Sequence, residues 1–201
     1  MQKRGKEIIL NIIGVYFLVL GTTAIVLSLL RQMPAQILYA CYIGIILIGI
    51  GILTRKSFLI LSQIYIITIP SIFWAIDFFH WLIFKTPLWG MTDYFFFNPE
   101  ITLDKFVSLQ HFYAIPLAIY AAKIIGKEKN AWKLSLIQLT LTFIAVKNLS
   151  QPELNVNCVF YSCININWVL PYNLVWFLIS FSIVGVTSLL LNYFLWKKKR
   201  K

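Results

Sequence analysis

Six long apolar stretches, near 8–30, 35–53, 58–84, 106–125, 131–149 and 171–195, divide the chain and constrain its fold more than any other feature. Each approaches or exceeds the roughly 20 residues of helix that cross the ~30 Å hydrocarbon core of a bilayer. Lipid offers no partner to a free N–H or C=O, so stretches of this kind read as helices. At 201 residues and 60% apolar content, the chain is too greasy for a soluble domain and too short for two membrane modules. The expectation is one all-α polytopic domain over residues 1–201, with six transmembrane helices. The charged start, Lys3-Arg4-Gly5-Lys6-Glu7, resembles the opening of a signal peptide. The apolar run behind it is longer than a signal peptide's and lacks an Ala-x-Ala-like cleavage site, so it is read as the first span.

The connections are unequal. Residues 54–57 and 126–130 are tight turns, whereas 85–105 and 148–170 are long polar loops. Short loops rich in Lys and Arg stay cytoplasmic. With six spans and the N-terminus inside, 14 of the 18 basic residues fall on the inner side: Lys3, Arg4, Lys6, Arg55, Lys56, Lys123, Lys127, Lys129, Lys133 and the tail 197–201. Only Arg31, Lys85, Lys105 and Lys147 fall outside. N and C termini are therefore expected in the cytoplasm of a cell-membrane, multi-pass protein. The same clustering explains the net charge of +11 as topology signal and lipid contact. No nucleic-acid-binding motif accompanies it, so no nucleic acid is expected as a partner.

Ionisable side chains inside apolar helices are costly, about 2.5–3.5 kcal/mol at the bilayer centre, and point to function. Asp77 and His80 in the third stretch and His111 in the fourth stand out, all toward the outer side. Asp77 and His80 are three residues apart and share a helix face, where a carboxylate can orient an imidazole. Cys41 and His111 each lie about 9 Å past the outer end of their span, and Asp77 about 10 Å, at 1.5 Å per residue. All four can then share one layer. A thiol beside an imidazole is a nucleophile-and-base pattern. A Cys, His, His and Asp set can also ligate a metal, while a lone Cys in an apolar helix is most often a small packing residue. In the second outer loop Cys158 and Cys163 are a disulfide candidate, since they face an oxidising compartment. Glu153, Asn155 and Asn157 either line the pocket mouth or are solvated turn residues.

Six spans, Phe73 and Trp74 ahead of Asp77 in the third, an acidic Pro-containing loop and His111 opening the fourth resemble the androgen-induced-gene family of integral membrane lipid hydrolases. The resemblance takes in about 60 residues. It implies an intramembrane Thr nucleophile and a His base acting on lipid esters, and His111 is the position that carries over. The second span offers Cys41 in place of Thr. Zinc-dependent seven-span hydrolases need three histidines, and this chain has two.

Three classes of function follow. One is a membrane-embedded lipid hydrolase or acyltransferase with a lipid substrate, using His111 as base, Asp77 and His80 in support and Cys41 as nucleophile. Another is a small-solute transporter, disfavoured because the inner halves of the spans are nearly free of charge. The last is a non-enzymatic protein that binds a partner or lipid through its outer loops. No cofactor is specified by the sequence.

Overall fold

The computed structural model describes residues 3–97, 100, 102–164, 166 and 168–196; the basic tail 197–201 lies outside them. Among the described residues the chain is all helical, without strands. The helices are α1 (Lys3–Leu30), α2 (Ala40–Leu53), α3 (Ser57–Phe84), the short α4 (Asp93–Phe96), α5 (Leu103–Ser108), α6 (Gln110–Ile125), α7 (Ala131–Leu149) and α8 (Tyr172–Trp196). Three of them, over Arg4–Leu30, Ser57–Phe84 and Tyr172–Phe194, are long and apolar enough to cross a membrane.

α3 is the central helix. It packs against α2, α6, α7 and α8, while α1 lies on α2. The apolar window of α3 is 56% buried, against 28% for α1 and 22% for α8, whose remaining faces are covered with exposed Ile, Leu, Val and Phe. The core runs along α3 through Ile60, Leu61, Ile64 and Ile67, meeting Phe17 of α1 and Ile45, Ile48 and Ile52 of α2. Small residues bring α1 and α2 together. A Cβ on Gly49 would stand 3.0 Å from the carbonyl oxygen of Gly14, and one on Gly21 would stand 2.4 Å from a carbon of Ile46. The backbones approach because those side chains are missing.

Two of the expected continuous spans are broken, both at the end that carries the long loops. The chain near 35 does not begin a regular helix. Pro34–Leu38 forms a 3-10 turn, Tyr39 is extended at φ −59° and ψ 127°, and α2 starts only at Ala40. Its 14 residues reach about 21 Å, short of the ~30 Å core. The stretch 106–125 is likewise divided into α5 and α6 at Leu109. The cause is local. In an unbroken helix the carbonyl of Ser108 would accept the N–H of Phe112. Here it accepts Nδ1–H of His111 at 2.7 Å, and the Phe112 N–H turns to Leu109 O at 3.1 Å.

Midway along the bundle, α3 and α7 are joined by a reciprocal amide pair. Gln63 Nε2 donates to Gln138 Oε1 at 2.7 Å, and Gln138 Nε2 donates to Gln63 Oε1 at 2.9 Å. Ser135 Oγ donates to the carbonyl of Ser62 beside them at 2.8 Å. Gln63, Ser62 and Ser135 are completely buried, so each polar group needs the others. Replacing Gln138 by Leu should lower stability by about 1–2 kcal/mol, because it leaves the Gln63 carbonyl oxygen without its donor in an apolar interior and Nε2 with only its bond to Ser62 Oγ. The double variant with Gln63→Leu should recover part of that loss. Thermal unfolding of the two single variants and the double variant in detergent, taken as a double-mutant cycle, measures the coupling.

Candidate functional site

The site is built from the third helix outward. Asp77, in the outer turns of α3, is fully buried. Its Oδ1 accepts the backbone N–H of Leu88 at 3.1 Å and of Trp89 at 2.7 Å. Its Oδ2 accepts both the N–H and the hydroxyl of Thr92, each at 2.8 Å. One carboxylate thus pins residues 88–92 to the helix. Gly90, at φ +79°, makes the turn that brings both sets of amides to it. The pinned loop leads directly into α4, so Met91, Asp93 and Tyr94 stand as one wall of a cavity.

Trp74, one helical turn below Asp77, carries the next layer. Its Nε1 donates to the Tyr94 hydroxyl at 3.2 Å. Its ring stacks on the imidazole of His111 with centroids 4.7 Å apart and 16° between planes. A carbonyl can only accept, so the contact with Ser108 O requires the proton of a neutral His111 on Nδ1. Nε2 is then the basic nitrogen. Stack and hydrogen bond together fix both the orientation and the tautomer of His111.

Cys41 enters from the opposite wall. It is a free thiol in the first turn of α2. Cys41, Trp74, Met91 and His111 line two cavities at once. The outer, of about 710 Å3, is a polar vestibule edged by Arg31, Asp93, Tyr94, Asp104 and Lys105. The inner, of about 250 Å3, is an apolar slot between the helices. The thiol and imidazole therefore stand at the neck between them, although no hydrogen bond joins them directly. Arg31 closes one side of the vestibule through a two-pronged pair with Asp104, at 2.6 and 2.5 Å. The Lys105 ammonium lies 5.5 Å from the centre of the Phe95 ring. Burial pushes the Tyr94 phenol up to about 12, so it stays protonated at neutral pH. Burial first, and the Asp77 carboxylate second, raise the pKa of Asp93.

The second outer loop roofs the slot. Asn157 acts as a peptide mimic: its Oδ1 accepts Ala40 N–H at 2.9 Å and its Nδ2 donates to Leu38 O at 2.7 Å. Its own carbonyl accepts Trp176 Nε1–H at 3.0 Å, and Tyr172 donates to Cys158 O at 2.6 Å. Asn157 spans the gap between the 3-10 turn and α2, where Tyr39 is extended. Cys158 and Cys163 are joined by a disulfide.

These placements revise several sequence expectations. Asp77 and His80 do not pair: the Asp77 carboxylate is filled by loop donors, and His80 Nδ1 meets Thr86 O at 2.9 Å while its ring leans on Phe84. Residues 86–92 fold back over the end of α3 and take up both groups, which no helical spacing reveals. Neither Asp77 nor His80 lines the vestibule or the slot. Cys41, Asp77, His80 and His111 do not gather as a metal set, and among the described residues no three His, Cys, Asp or Glu side chains are placed to hold a metal ion. Of the loop residues, Asn157 reaches the slot but spends its amide on the backbone. Asn155 Oδ1 instead accepts the N–H groups of Phe160 and Tyr161, and Glu153 is exposed. The sequence reading passed over Met91, Asp93 and Tyr94; the signal for them was the Gly90 turn followed by a short run of aromatics.

No protein-family model, curated protein or solved structure matches this chain. What fold and site define is an all-helical protein with apolar helices of membrane-crossing length and a thiol and an imidazole at the neck of a cavity.

The Asp77 arrangement makes a direct prediction. Asp77→Asn turns an amide NH2 toward backbone donors and should cost about 2 kcal/mol or more, as expected for lost hydrogen bonds to a charged group. Thr92→Val, which removes one of the four bonds, should cost about 1 kcal/mol. Thermal unfolding of the detergent-solubilised variants checks both the values and their order.

Proposed function

We propose that this is a six-span membrane protein with both termini cytoplasmic, acting as a membrane-embedded hydrolase or acyltransferase on lipid esters. Cys41 is the nucleophile and His111 the base. The observation that carries the reading is the position of these two side chains. They come from different helices and both line the vestibule as well as the apolar slot, and an ester lying across a lipid–water boundary places its carbonyl where two such spaces meet. The held tautomer of His111 adds to it, since a base must present an unprotonated nitrogen.

The chemistry balances with these two groups. His111 Nε2 takes the Cys41 proton as the sulfur attacks the ester carbonyl. The C–O bond breaks, the imidazolium returns the proton to the leaving alkoxide, and a thioester remains on Cys41. Water, or a second alcohol entering through the vestibule, then gives its proton to His111 and takes the acyl group. Thiol and imidazole are not hydrogen-bonded at rest; catalytic contacts of this kind commonly tighten only with substrate in place. That resting separation is also what a protein that merely holds lipid would have, so lipid binding without turnover is the second reading.

Orientation follows from the basic residues, 14 of which lie on the proposed inner side. Loop placement agrees with the alternation. The loops after α1, α3 and α7 meet at one end through Arg31–Asp104 and Asn157–Ala40, and the turns after α2 and α6 meet at the other, where Ser57 donates to Gly126 O. The disulfide stands at the end assigned to the oxidising side.

Two measurements test the proposal. Reporters fused after Lys201 and at Gly126 should read as cytoplasmic and one at residue 92 as external; the reverse result removes the outward-facing site. In vesicles carrying a fluorogenic acyl ester, Cys41→Ala should abolish turnover and His111→Ala should slow it by about 10²–10⁴-fold. Unchanged turnover in both would leave lipid binding as the function.

A further inference from the structure

The inner cavity reaches as far as Ile183 of α8. From the neck at Cys41 and His111 it runs inward between α3, α7 and α8, walled by Ile66, Ile67, Pro70, Leu139, Trp176 and Ile183. Trp74 and Ile66 lie eight residues apart on α3, so this part is about 12 Å long. Its polar groups are few: the hydroxyls of Ser71 and Ser180, and the roof at Asn157 and Cys158. A volume of about 250 Å3 accommodates about eight methylene-sized groups, taking each at roughly the ~30 Å3 of a water molecule. Ile183 is also part of a third, open groove on the outside of the bundle, about 330 Å3, formed by Ile69 of α3 and Leu178, Ile179, Ser182 and Val186 of α8. Leu178 and Ile179 are among the residues that α8 exposes. Polar vestibule, reactive neck, apolar slot and exposed apolar groove thus follow one another, with Ile183 as the partition between the last two.

Pro70 gives the slot its place. Lacking an N–H, it leaves α3 without one backbone bond to the turn below, where its ring lines the slot. A volume of about 250 Å3 spread over about 12 Å of helix suits a single unbranched chain, and apolar residues make up most of the wall. An acyl chain fits both conditions.

We propose that the slot holds the carbonyl-proximal eight or so carbons of a membrane lipid's acyl chain, and that the rest of a long chain passes Ile183 and leaves between α3 and α8 into the bilayer. The lipid approaches sideways through that cleft, and Ile183 sets which chain lengths are accepted. This rests on Cys41 and His111 being the reactive pair only for where the carbonyl stops; occupancy of the slot needs no reaction.

The test therefore uses binding. Cys41→Ala protein in phosphatidylcholine vesicles is photolabelled with phosphatidylcholine carrying a diazirine near the end of either an octanoyl or a palmitoyl chain, and the labelled peptides are identified by mass spectrometry. The octanoyl probe should label residues 66–71 of α3 and 176–183 of α8, and the palmitoyl probe residues 178–186. Val186→Trp, in the outer groove and not in the slot wall, on the same background, should reduce palmitoyl labelling at least fivefold and leave octanoyl labelling within twofold. The retained octanoyl signal shows that the variant is folded, and Val186→Phe gives a second, milder block. Octanoyl labelling confined to the vestibule or to the outside of α1 overturns the slot. Equal losses, or no loss, with both chains in Val186→Trp overturns the route between α3 and α8. If the octanoyl probe labels the slot while wild-type protein shows no esterase turnover, the acyl site stands and the catalytic reading fails.

Discussion

A carboxylate buried in an apolar helix without a cation must be met by hydrogen-bond donors, because an uncompensated charge there would cost many kcal/mol. Asp77 receives four donors, all from residues 88–92. Much of the outer half of the protein depends on that exchange. The carboxylate folds a polar loop back over α3, the loop's continuation supplies Met91, Asp93 and Tyr94 to the vestibule, and Tyr94 accepts from the Trp74 that supports His111. An ionisable residue inside a membrane helix is by default a candidate for chemistry. In this chain Asp77 serves as the anchor that gives another ionisable residue, His111, a fixed wall to lean on.

The second requirement of the site is irregular backbone where membrane helices would otherwise run straight. Unpaired backbone at membrane depth is tolerated only where protein or water supplies partners. Both breaks meet that condition. At α5–α6 the carbonyl of Ser108 is met by His111 itself, so the same bond that bends the span sets the imidazole tautomer. At the start of α2 the Asn157 amide supplies one acceptor and one donor, bridging a gap that leaves Cys41 in a first helical turn. An unbroken helix from 35 to 53 would put Cys41 more than a turn inside, with its amides engaged by the preceding carbonyls. The break leaves the thiol in the first turn of α2, beside a cavity.

The apolar part of the molecule is arranged around the same centre. α3 is the helix that every wall of the slot touches or faces, and its Pro70 lies level with the gap that forms the slot. Below it, the reciprocal Gln63–Gln138 pair closes α3 against α7. The vestibule and the slot therefore lie between this pair and the end that carries the long loops.

The sequence by itself determined that the chain is helical and that α1, α3 and α8 are long and apolar enough to cross a membrane, because length and hydropathy decide this residue by residue. It also brought out Cys41 and His111, since thiols and imidazoles are rare in such segments. The pairing of Asp77 with His80 was the natural reading of a three-residue spacing, and it was wrong because spacing along one helix says nothing about a loop eleven residues later that competes for the same carboxylate. The breaks at Tyr39 and Leu109 were hidden for a related reason. Each is stabilised by a side chain bonded to backbone, from Asn157 over a hundred residues away in one case and from His111 in the other, and hydropathy averages over such contacts. The meeting of vestibule and slot at Cys41 and His111 was likewise decided by tertiary structure alone, because it requires seven helices, α2 to α8, to be placed at once and no local pattern encodes their mutual distances.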